Sequence, residues 1–173
     1  MSHSLQNYIQ DVHDFPRPGI VFKDLTPLLA NPDALQRTYE KLANEVKDLS
    51  FDLIIGPESR GFIFGVGLSI FLKKGFIPIR KKGKLPGKTY RTTYSLEYGQ
   101  DTLELKQDAI TKGQSVLIVD DLLATGGTMK ASLDLVQQAE GKPVGCAFVV
   151  ELDFLQGRKQ LTPHPVFSLI HYS

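Results

Sequence analysis

The stretch Val119-Asp120-Asp121-Leu122-Leu123-Ala124-Thr125-Gly126-Gly127-Thr128 follows an apolar run at residues 115–119. The apolar run predicts a strand, the two aspartates stand at its expected end, and a helical pattern begins after the glycine-rich turn. In α/β sheets, ligands bind beyond the carboxyl ends of strands. Carboxylates there can accept hydrogen bonds from the vicinal hydroxyls of a ribose, and turn amides at a helix N-terminus attract a phosphate. This stretch therefore predicts a site for a phosphorylated sugar.

Other phosphate-binding motifs fit this chain poorly. A P-loop requires a lysine directly after its last glycine, but Thr128 follows Gly127. The dinucleotide-binding fingerprint requires a third glycine three residues after Gly67, where Ile70 stands. Gly65 and Gly67 instead favour close packing of a helix against the sheet. A second turn between a strand and a helix, residues 56–61, has the geometry of another anion site and contains Arg60.

Strand-like and helix-like segments alternate along the chain. Apolar runs of strand length lie at residues 51–55, 76–79, 116–119, 144–150 and 166–170. Because these runs are apolar throughout, both faces of the sheet are expected to be covered, as in a parallel sheet. Helical patterns lie between them at residues 33–49, 61–72 and 128–139, and the second is apolar nearly all round, which predicts a buried helix. The alternation predicts an α/β fold with right-handed crossovers.

Two segments interrupt this alternation. Residues 12–32 contain several prolines and predict an ordered but irregular lobe. Residues 81–108 are polar, and within them residues 92–96 and 102–105 alternate in a way that is compatible with a hairpin. An excursion of this length in a compact α/β domain is usually a lid or a binding loop. Because no linker composition divides the chain, we expect one domain over residues 1–173.

Composition excludes several classes of protein. The formal net charge is +1, so neither a nucleic acid nor a membrane surface is an expected partner. The first 15 residues lack the pattern of a signal peptide, and no apolar run approaches the ~20 residues of a membrane span, so a soluble intracellular protein is expected. Cys146 is the only cysteine and is expected to be buried rather than nucleophilic. The four histidines, which lack the spacing of metal ligands, are expected at the surface: His3, His13, His164 and His171.

Residues 119–128 resemble the phosphoribosyl pyrophosphate signature of the type I phosphoribosyltransferases. Further stretches resemble the adenine-using branch of that family, at residues 15–24, 58–62, 80–87 and 94–99. The resemblance runs from about residue 8 to residue 172. It implies a central, mostly parallel sheet flanked by helices, with a small N-terminal hood of about residues 1–32 and a flexible β-hairpin lid of about residues 81–108. It also implies a homodimer and a cytoplasmic location.

The resemblance implies transfer of the phosphoribosyl group of 5-phosphoribosyl 1-pyrophosphate to adenine, with AMP and pyrophosphate as products, a step of purine salvage. It also implies Mg²⁺, held mainly by substrate oxygens and water rather than by the protein. Two alternatives stay open: transfer to another purine base, and a non-catalytic sensor of the sugar donor. Sensors of that kind usually carry an added DNA-binding domain, for which 173 residues leave no room, and they do not need Glu97.

The resemblance assigns residues to the two ends of the donor. The 5′-phosphate would be bound by Ala124, Thr125, Gly126, Gly127 and Thr128. Asp120 and Asp121 would hold the ribose hydroxyls and favour the positive charge that develops on the sugar. The leaving pyrophosphate would be bound by the residues of the second anion turn, in which a cis peptide after Glu58 is implied, and by part of the basic cluster that follows a strand: Glu58, Ser59, Arg60, Arg80, Lys81 and Lys84. Of that basic cluster, Arg80 is the first candidate.

The resemblance also assigns the residues that meet the base. Glu97 would face the purine nitrogen opposite the reacting one and take part in proton transfer. Tyr98 would help to close the lid and exclude water. Phe22 would stack on adenine, and the backbones of Val21 and Lys23 would bind the edge of its ring. Many members of the family have arginine where Lys23 stands, which matters only if the side chain makes the contact.

Overall fold

The computed structural model describes residues 4–95 and 100–173. The chain divides into two compact units, Met1–Lys41 and Leu42–Ser173. The longer helices are α1 Thr26–Ala30, α2 Pro32–Glu45, α3 Arg60–Leu72 and α4 Gly127–Gln138. The strands are β1 Gln10–His13, β2 Val21–Asp24, β3 Leu53–Pro57, β4 Gly75–Lys81, β5 Thr89–Ser95, β6 Gln100–Lys106, β7 Ser115–Leu123, β8 Lys142–Leu152 and β9 Val166–Tyr172.

The first unit contains a small antiparallel sheet of β1 and β2. Asp11 pairs with Lys23 and Val12 with Phe22 in the register of the two strands. An edge-to-face contact between Phe15 and Phe22, with ring centroids 5.2 Å apart, supports the turn between the strands. The proline-rich segment is therefore more regular than its composition indicated, because cross-strand pairing organises it.

The second unit contains a seven-stranded sheet in the order β5-β6-β4-β3-β7-β8-β9. β3 pairs in parallel with β4 and β7, and β8 and β9 extend the parallel part of the sheet. The hairpin of β5 and β6 is antiparallel and adds to the edge of β4. This mixed α/β architecture with a mostly parallel central sheet confirms the predicted fold class. Because β3 and β7 are parallel neighbours, the segments after them meet at the same edge of the sheet.

The core of the second unit lies between the sheet and α4. Leu133 and Val136 of α4 pack in one buried cluster with Ile55, Ile118 and Phe148 of the strands. Burial of each such side chain stabilises the fold by about 1.5–3 kcal/mol. These two side chains therefore lie on the inward face of α4. None of the described helices is long and apolar enough to cross a membrane.

Helix α3 differs from its prediction on one face. Phe64 and Leu68 are buried, and a Cβ on Gly65 would collide with the ring of Phe76, so this glycine does permit close packing on the sheet. On another face, however, Ile70 is 73% exposed and Phe71 47% exposed. The prediction of a fully buried helix is wrong there, because the sheet covers only one side of α3 within this chain.

Candidate active site

A cavity of about 330 Å³ opens where the segments that follow β3 and β7 meet. The end of β7 and the segments after β3 and β7 supply most of its wall. The hairpin of β5 and β6, together with β4 and β8, supplies the rest. The lining residues are Glu58, Ser59, Arg60, Lys81, Tyr94, Asp101, Asp120, Asp121, Leu122, Leu123, Ala124, Thr125, Gly126, Gly127, Thr128, Met129 and Phe148. The cavity therefore brings together most of the residues predicted for the two ends of the donor.

The two aspartates have different surroundings because β7 continues to Leu123, four residues beyond its predicted end. Successive residues of a strand point to opposite faces. Asp121 is 4% exposed, and its Oδ2 lies 2.8 Å from Nε of Arg60. Asp120 Oδ1 accepts a hydrogen bond from the Asp121 amide at 2.9 Å. Burial, together with the negative charge of Asp121, raises the pKa of Asp120 well above its ordinary value.

Gly61 allows α3 to begin directly against these aspartates. A Cβ at this position would lie 2.8 Å from Oδ1 of Asp120 and 3.2 Å from the carbonyl oxygen of Val119. Only a glycine permits so close an approach. Arg60 and Gly61, the first two residues of α3, thus place a guanidinium beside Asp121 and the helix backbone beside Asp120.

The turn before α4 has a backbone that favours glycine. Gly126 adopts φ +90°, and a Cβ there would lie 2.7 Å from the carbonyl oxygen of Gly157. A Cβ on Gly157 would in turn collide with the carbonyl oxygen of Ala124. Gly157 therefore packs closely against the turn. The sequence did not predict this contact, because Gly157 lies in a later segment of the chain. α4 begins at Gly127 with Gly126 as its N-cap, and the first amides of a helix have no acceptor within the helix.

Glu58 organises the basic cluster. Its Oε2 accepts a hydrogen bond from Nε of Arg80 at 2.6 Å, and its Oε1 accepts one from the Lys81 amide at 2.8 Å and lies 3.3 Å from Nζ of Lys84. Burial raises the pKa of Glu58, but these hydrogen bonds outweigh burial and hold its pKa below the ordinary value. The peptide between Glu58 and Ser59 is cis, as the resemblance implied.

The hairpin of β5 and β6 contributes charged groups that the sequence did not predict. Asp101 Oδ2 lies 3.0 Å from Nζ of Lys81, and this partner raises the pKa of Lys81. Glu104 is 1% exposed, with Oε1 2.7 Å from Nε of Arg91. These pairs depend on the register of β4, β5 and β6, for which local sequence has no signal.

The residues predicted to meet the base lie in two other parts of the chain. Val21, Phe22 and Lys23 belong to β2 of the first unit. The ammonium of Lys23 lies 2.7 Å from Oδ1 of Asp11, so its side chain is engaged within that unit. Glu97 and Tyr98 lie outside the described residues. Contacts of all five with the base stay predictions.

Among residues 4–95 and 100–173, one group of three metal-binding side chains converges, and it lies away from the cavity wall: Glu151, Asp153 and His171. Glu151 already accepts two hydrogen bonds from Arg158, at 2.6 and 2.7 Å. His171 Nδ1 lies 2.9 Å from Oδ1 of Asp153. This group is accounted for by its own ion pairs and hydrogen bonds.

An acid pair and a phosphate turn at the carboxyl edge of a parallel sheet define a sugar-phosphate-binding protein of the α/β class. Residues 24–170 match the family model of the phosphoribosyl transferase domain. The adenine phosphoribosyltransferase of Koribacter versatilis is 52% identical over 169 residues, which are 98% of this chain and 93% of the relative. The chain belongs to the phosphoribosyltransferase family and, within it, to the adenine phosphoribosyltransferases.

Solved structures show the same relationship. The crystal structure of the adenine phosphoribosyltransferase from Thermoanaerobacter pseudethanolicus has a TM-score of 0.95 and 48% identity, with 97% of this chain and 98% of that chain covered. The Saccharomyces cerevisiae enzyme, complexed with an imino-altritol bisphosphate and adenine, has a TM-score of 0.90 and 43% identity, with 95% and 96% covered. The relationship therefore extends over almost the whole of each chain.

Proposed function

We propose that this protein transfers the phosphoribosyl group of 5-phosphoribosyl 1-pyrophosphate to adenine. The cavity supports this proposal, because the acid pair, the phosphate turn and Arg60 line one space of about 330 Å³. A bond forms between a ring nitrogen of adenine and C1′ of the sugar, and the bond from C1′ to the pyrophosphate oxygen breaks. The ring proton of adenine is lost, and AMP and pyrophosphate leave.

The sugar end of the donor is assigned to β7 and the turn before α4. The turn amides and the N-terminus of α4 would bind the 5′-phosphate. The hydroxyls of Thr125 and Thr128 would add donors. Asp120 and Asp121 would accept hydrogen bonds from the ribose hydroxyls, and their charge favours the positive sugar of the transition state. The raised pKa of Asp120 is the cost of keeping this acid in a buried position.

The leaving group is assigned to the segment after β3. Arg60 lines the cavity beside Ser59, and Arg60 would donate charge-assisted hydrogen bonds to the pyrophosphate. Arg80 and Lys84 are held by Glu58, so they would act from a fixed position next to this segment. Fixed cations stabilise a departing anion without reorganising.

A relative supports the assignment of the residues that would meet the base. The yeast relative was crystallised with adenine, which supports adenine as the acceptor. Phe22 would stack on the purine, with the backbones of Val21 and Lys23 at its edge. Pairing of the Lys23 side chain with Asp11 favours the backbone contact, for which lysine and arginine are equivalent. Glu97 would take part in the proton transfer and Tyr98 would help to close the lid.

Magnesium fits the donors that the cavity offers. Mg²⁺ prefers oxygen ligands and keeps much of its water. Asp120 and Asp121 are the carboxylates beside the sugar subsite, and they would hold the ion through its waters and the ribose oxygens. The ion would neutralise the pyrophosphate of the donor when bound.

The exposed face of α3 supports a homodimer. Val66, Ile70 and Phe71 lie on one apolar helix and are 39%, 73% and 47% exposed. Contact with the same face of a second copy would remove this surface from water.

Light scattering should give twice the chain mass of 19.2 kDa. Ile70→Asp should shift the protein to the monomer, whereas Leu155→Asp, at an exposed leucine outside α3, should leave the dimer. A monomeric wild type would contradict the proposal.

One assay tests the activity and both alternatives. Nucleotide formation is measured with the donor, Mg²⁺ and adenine, hypoxanthine, guanine or xanthine in parallel. We expect AMP with adenine and little turnover with the oxopurines. A preference for an oxopurine would contradict the choice of base, and no turnover with any base, despite donor binding, would support the sensor.

A cytoplasmic location belongs to the same proposal, since nucleotide salvage takes place where nucleotides are used.

A further inference from the structure

Tyr94 is a residue of the hairpin strand β5, and it lines the cavity. It stands one position before the last described pair of the hairpin, Ser95 with Gln100. Its ring packs against the core cluster, and it lines the cavity beside Thr125 and Thr128. The ring is therefore fixed by packing, and its polar end lies beside the turn assigned to the 5′-phosphate.

We propose that the hydroxyl of Tyr94 is a further ligand of the 5′-phosphate and selects phosphorylated sugars. This inference rests on the proposed function, because it adds a donor to the subsite assigned to residues 124–128. The ligand class is a ribose 5-phosphate monoester, as in AMP and the sugar donor.

The hydrogen bonding of Tyr94 leaves a proton for the ligand. The hydroxyl of Thr128 and the phenol of Tyr94 lie 3.5 Å apart, with Thr128 as the donor. Each hydroxyl has one proton and can also accept. A phosphate bound at this turn would replace that contact and accept the proton of each hydroxyl. The phenol is a neutral donor, so it would add a hydrogen bond to the dianionic phosphate without adding a charge to the site.

Charged neighbours of Tyr94 form ion pairs with other side chains. Asp101 is its cross-strand partner, and partners in such a pair lie on the same face of the sheet. The carboxylate of Asp101, however, lies 3.0 Å from the ammonium of Lys81. Lys130, on the next turn of α4, has its ammonium 2.6 Å from Oδ1 of Asp134. The acids and cations around the phenol are thus paired with one another.

The position of Tyr94 on β5 has a consequence for the sugar donor. The turn before α4 and the phenol of Tyr94 would hold the phosphate from two different elements. A sugar without the phosphate would lack the contact with β5. We therefore expect Tyr94 to contribute to discrimination between a nucleotide and its nucleoside.

The test compares Tyr94→Phe with Tyr90→Phe. Both residues lie on β5 and pack against the core cluster, but Tyr90 does not line the cavity. Both substitutions keep the ring and remove one hydroxyl. Binding of AMP, adenosine and pyrophosphate is measured by calorimetry, with melting temperature as a check on folding. We expect Tyr94→Phe to weaken the binding of AMP about tenfold, which corresponds to the loss of one hydrogen bond to a charged group. The binding of adenosine and of pyrophosphate should stay unchanged.

The outcomes separate this inference from the proposed function. Equal AMP affinities for wild type and Tyr94→Phe would overturn the inference, and so would an equal loss for adenosine or for Tyr90→Phe. A wild type that binds no AMP would contradict the proposed function itself. In steady-state kinetics, the KM for the sugar donor should rise in Tyr94→Phe while kcat at saturating donor stays close to the wild-type value. A fall in kcat with an unchanged KM would also overturn it.

Discussion

Two carboxylates of this site, Asp120 and Glu58, have opposite effects on the stability of the fold. Asp120 has a raised pKa because burial and the charge of Asp121 oppose its ionisation. Glu58 has a lowered pKa because three donors outweigh its burial. An acid whose folded pKa is raised destabilises the fold once it ionises, whereas an acid whose folded pKa is lowered stabilises the fold when ionised. The two acids therefore predict opposite effects of charge removal.

Asp120→Asn should stabilise the protein and impair catalysis. Asparagine removes the buried charge and keeps the oxygen that accepts from the Asp121 amide. We expect the free energy of unfolding to rise by about 1 kcal/mol at pH 7 and activity to fall about 100-fold. Near pH 3, where the wild-type carboxyl is protonated, the gain should vanish. Urea unfolding at both pH values tests this, and Asp134→Asn, at an acid paired on the surface of α4, should give no such gain.

Glu58→Gln should destabilise the protein over the same pH range in which Asp120→Asn stabilises it. Because the folded pKa lies below the ordinary value of 4.5, ionised Glu58 contributes stability above that pH, and the contribution is lost as the pH falls through the folded pKa. We expect a loss of about 1–2 kcal/mol at pH 7 and almost none near pH 3. Glu140→Gln is the control, because Glu140 is 60% exposed and its ion pair with Lys112 contributes little. Equal losses for both variants would contradict the prediction.

Single residues could be predicted where their chemistry is local. Asp120, Asp121 and the turn at residues 124–128 form one continuous stretch, so composition and order were sufficient to place them in one site. Tyr94 and Asp101 could not be found in this way. They reach the cavity only through the register of β5 and β6, which depends on side-chain packing across the sheet.

At the scale of elements, β7 and α4 act together. β7 carries the two aspartates to the edge of the sheet, and α4 begins at Gly127 after a left-handed residue at Gly126. The core-facing residues of α4 anchor the helix and hence the position of its N-terminus. Helix and strand were both predicted, since their apolar periods differ, but the four extra residues of β7 were not. Two adjacent aspartates followed by two leucines lack the alternation of a half-buried strand, so they resemble a loop when taken alone.

Gly126→Ala tests the geometry of this junction. Alanine at φ +90° is strained, and its Cβ would meet the backbone of Gly157 at 2.7 Å. Gly113→Ala is a matched control, because Gly113 has φ +81° with nothing within 4 Å of a Cβ. We expect losses of about 3 kcal/mol for Gly126→Ala and about 1 kcal/mol for Gly113→Ala in urea unfolding. Only Gly126→Ala should also weaken AMP binding. Equal losses would mean that the turn can move away from residue 157.

At the scale of the whole molecule, strand order determines what the site can contain. β3 and β7 are separated in sequence by α3, β4 and the hairpin, yet they are neighbours in the sheet. This adjacency places the two turns that are predicted to bind anions at one edge of the sheet. The alternation of segments predicted a parallel sheet but not its order, because each apolar run can pair with any other. The exposed face of α3 also has no local signal, since an apolar helix is compatible with burial by the sheet or by a second chain.

Cys146 offers a test of cooperativity across the second unit. The thiol is fully buried on β8, which lies between β7 and β9, and burial raises its pKa to about 12. A thiol reagent should therefore leave the native protein unmodified at pH 8 and label one cysteine per chain after unfolding in guanidinium. If labelling requires global unfolding, AMP at about 100 times its Kd should slow labelling about 100-fold, because only the folded protein binds it. Labelling that is independent of AMP would instead show that β8 opens locally while the site remains folded.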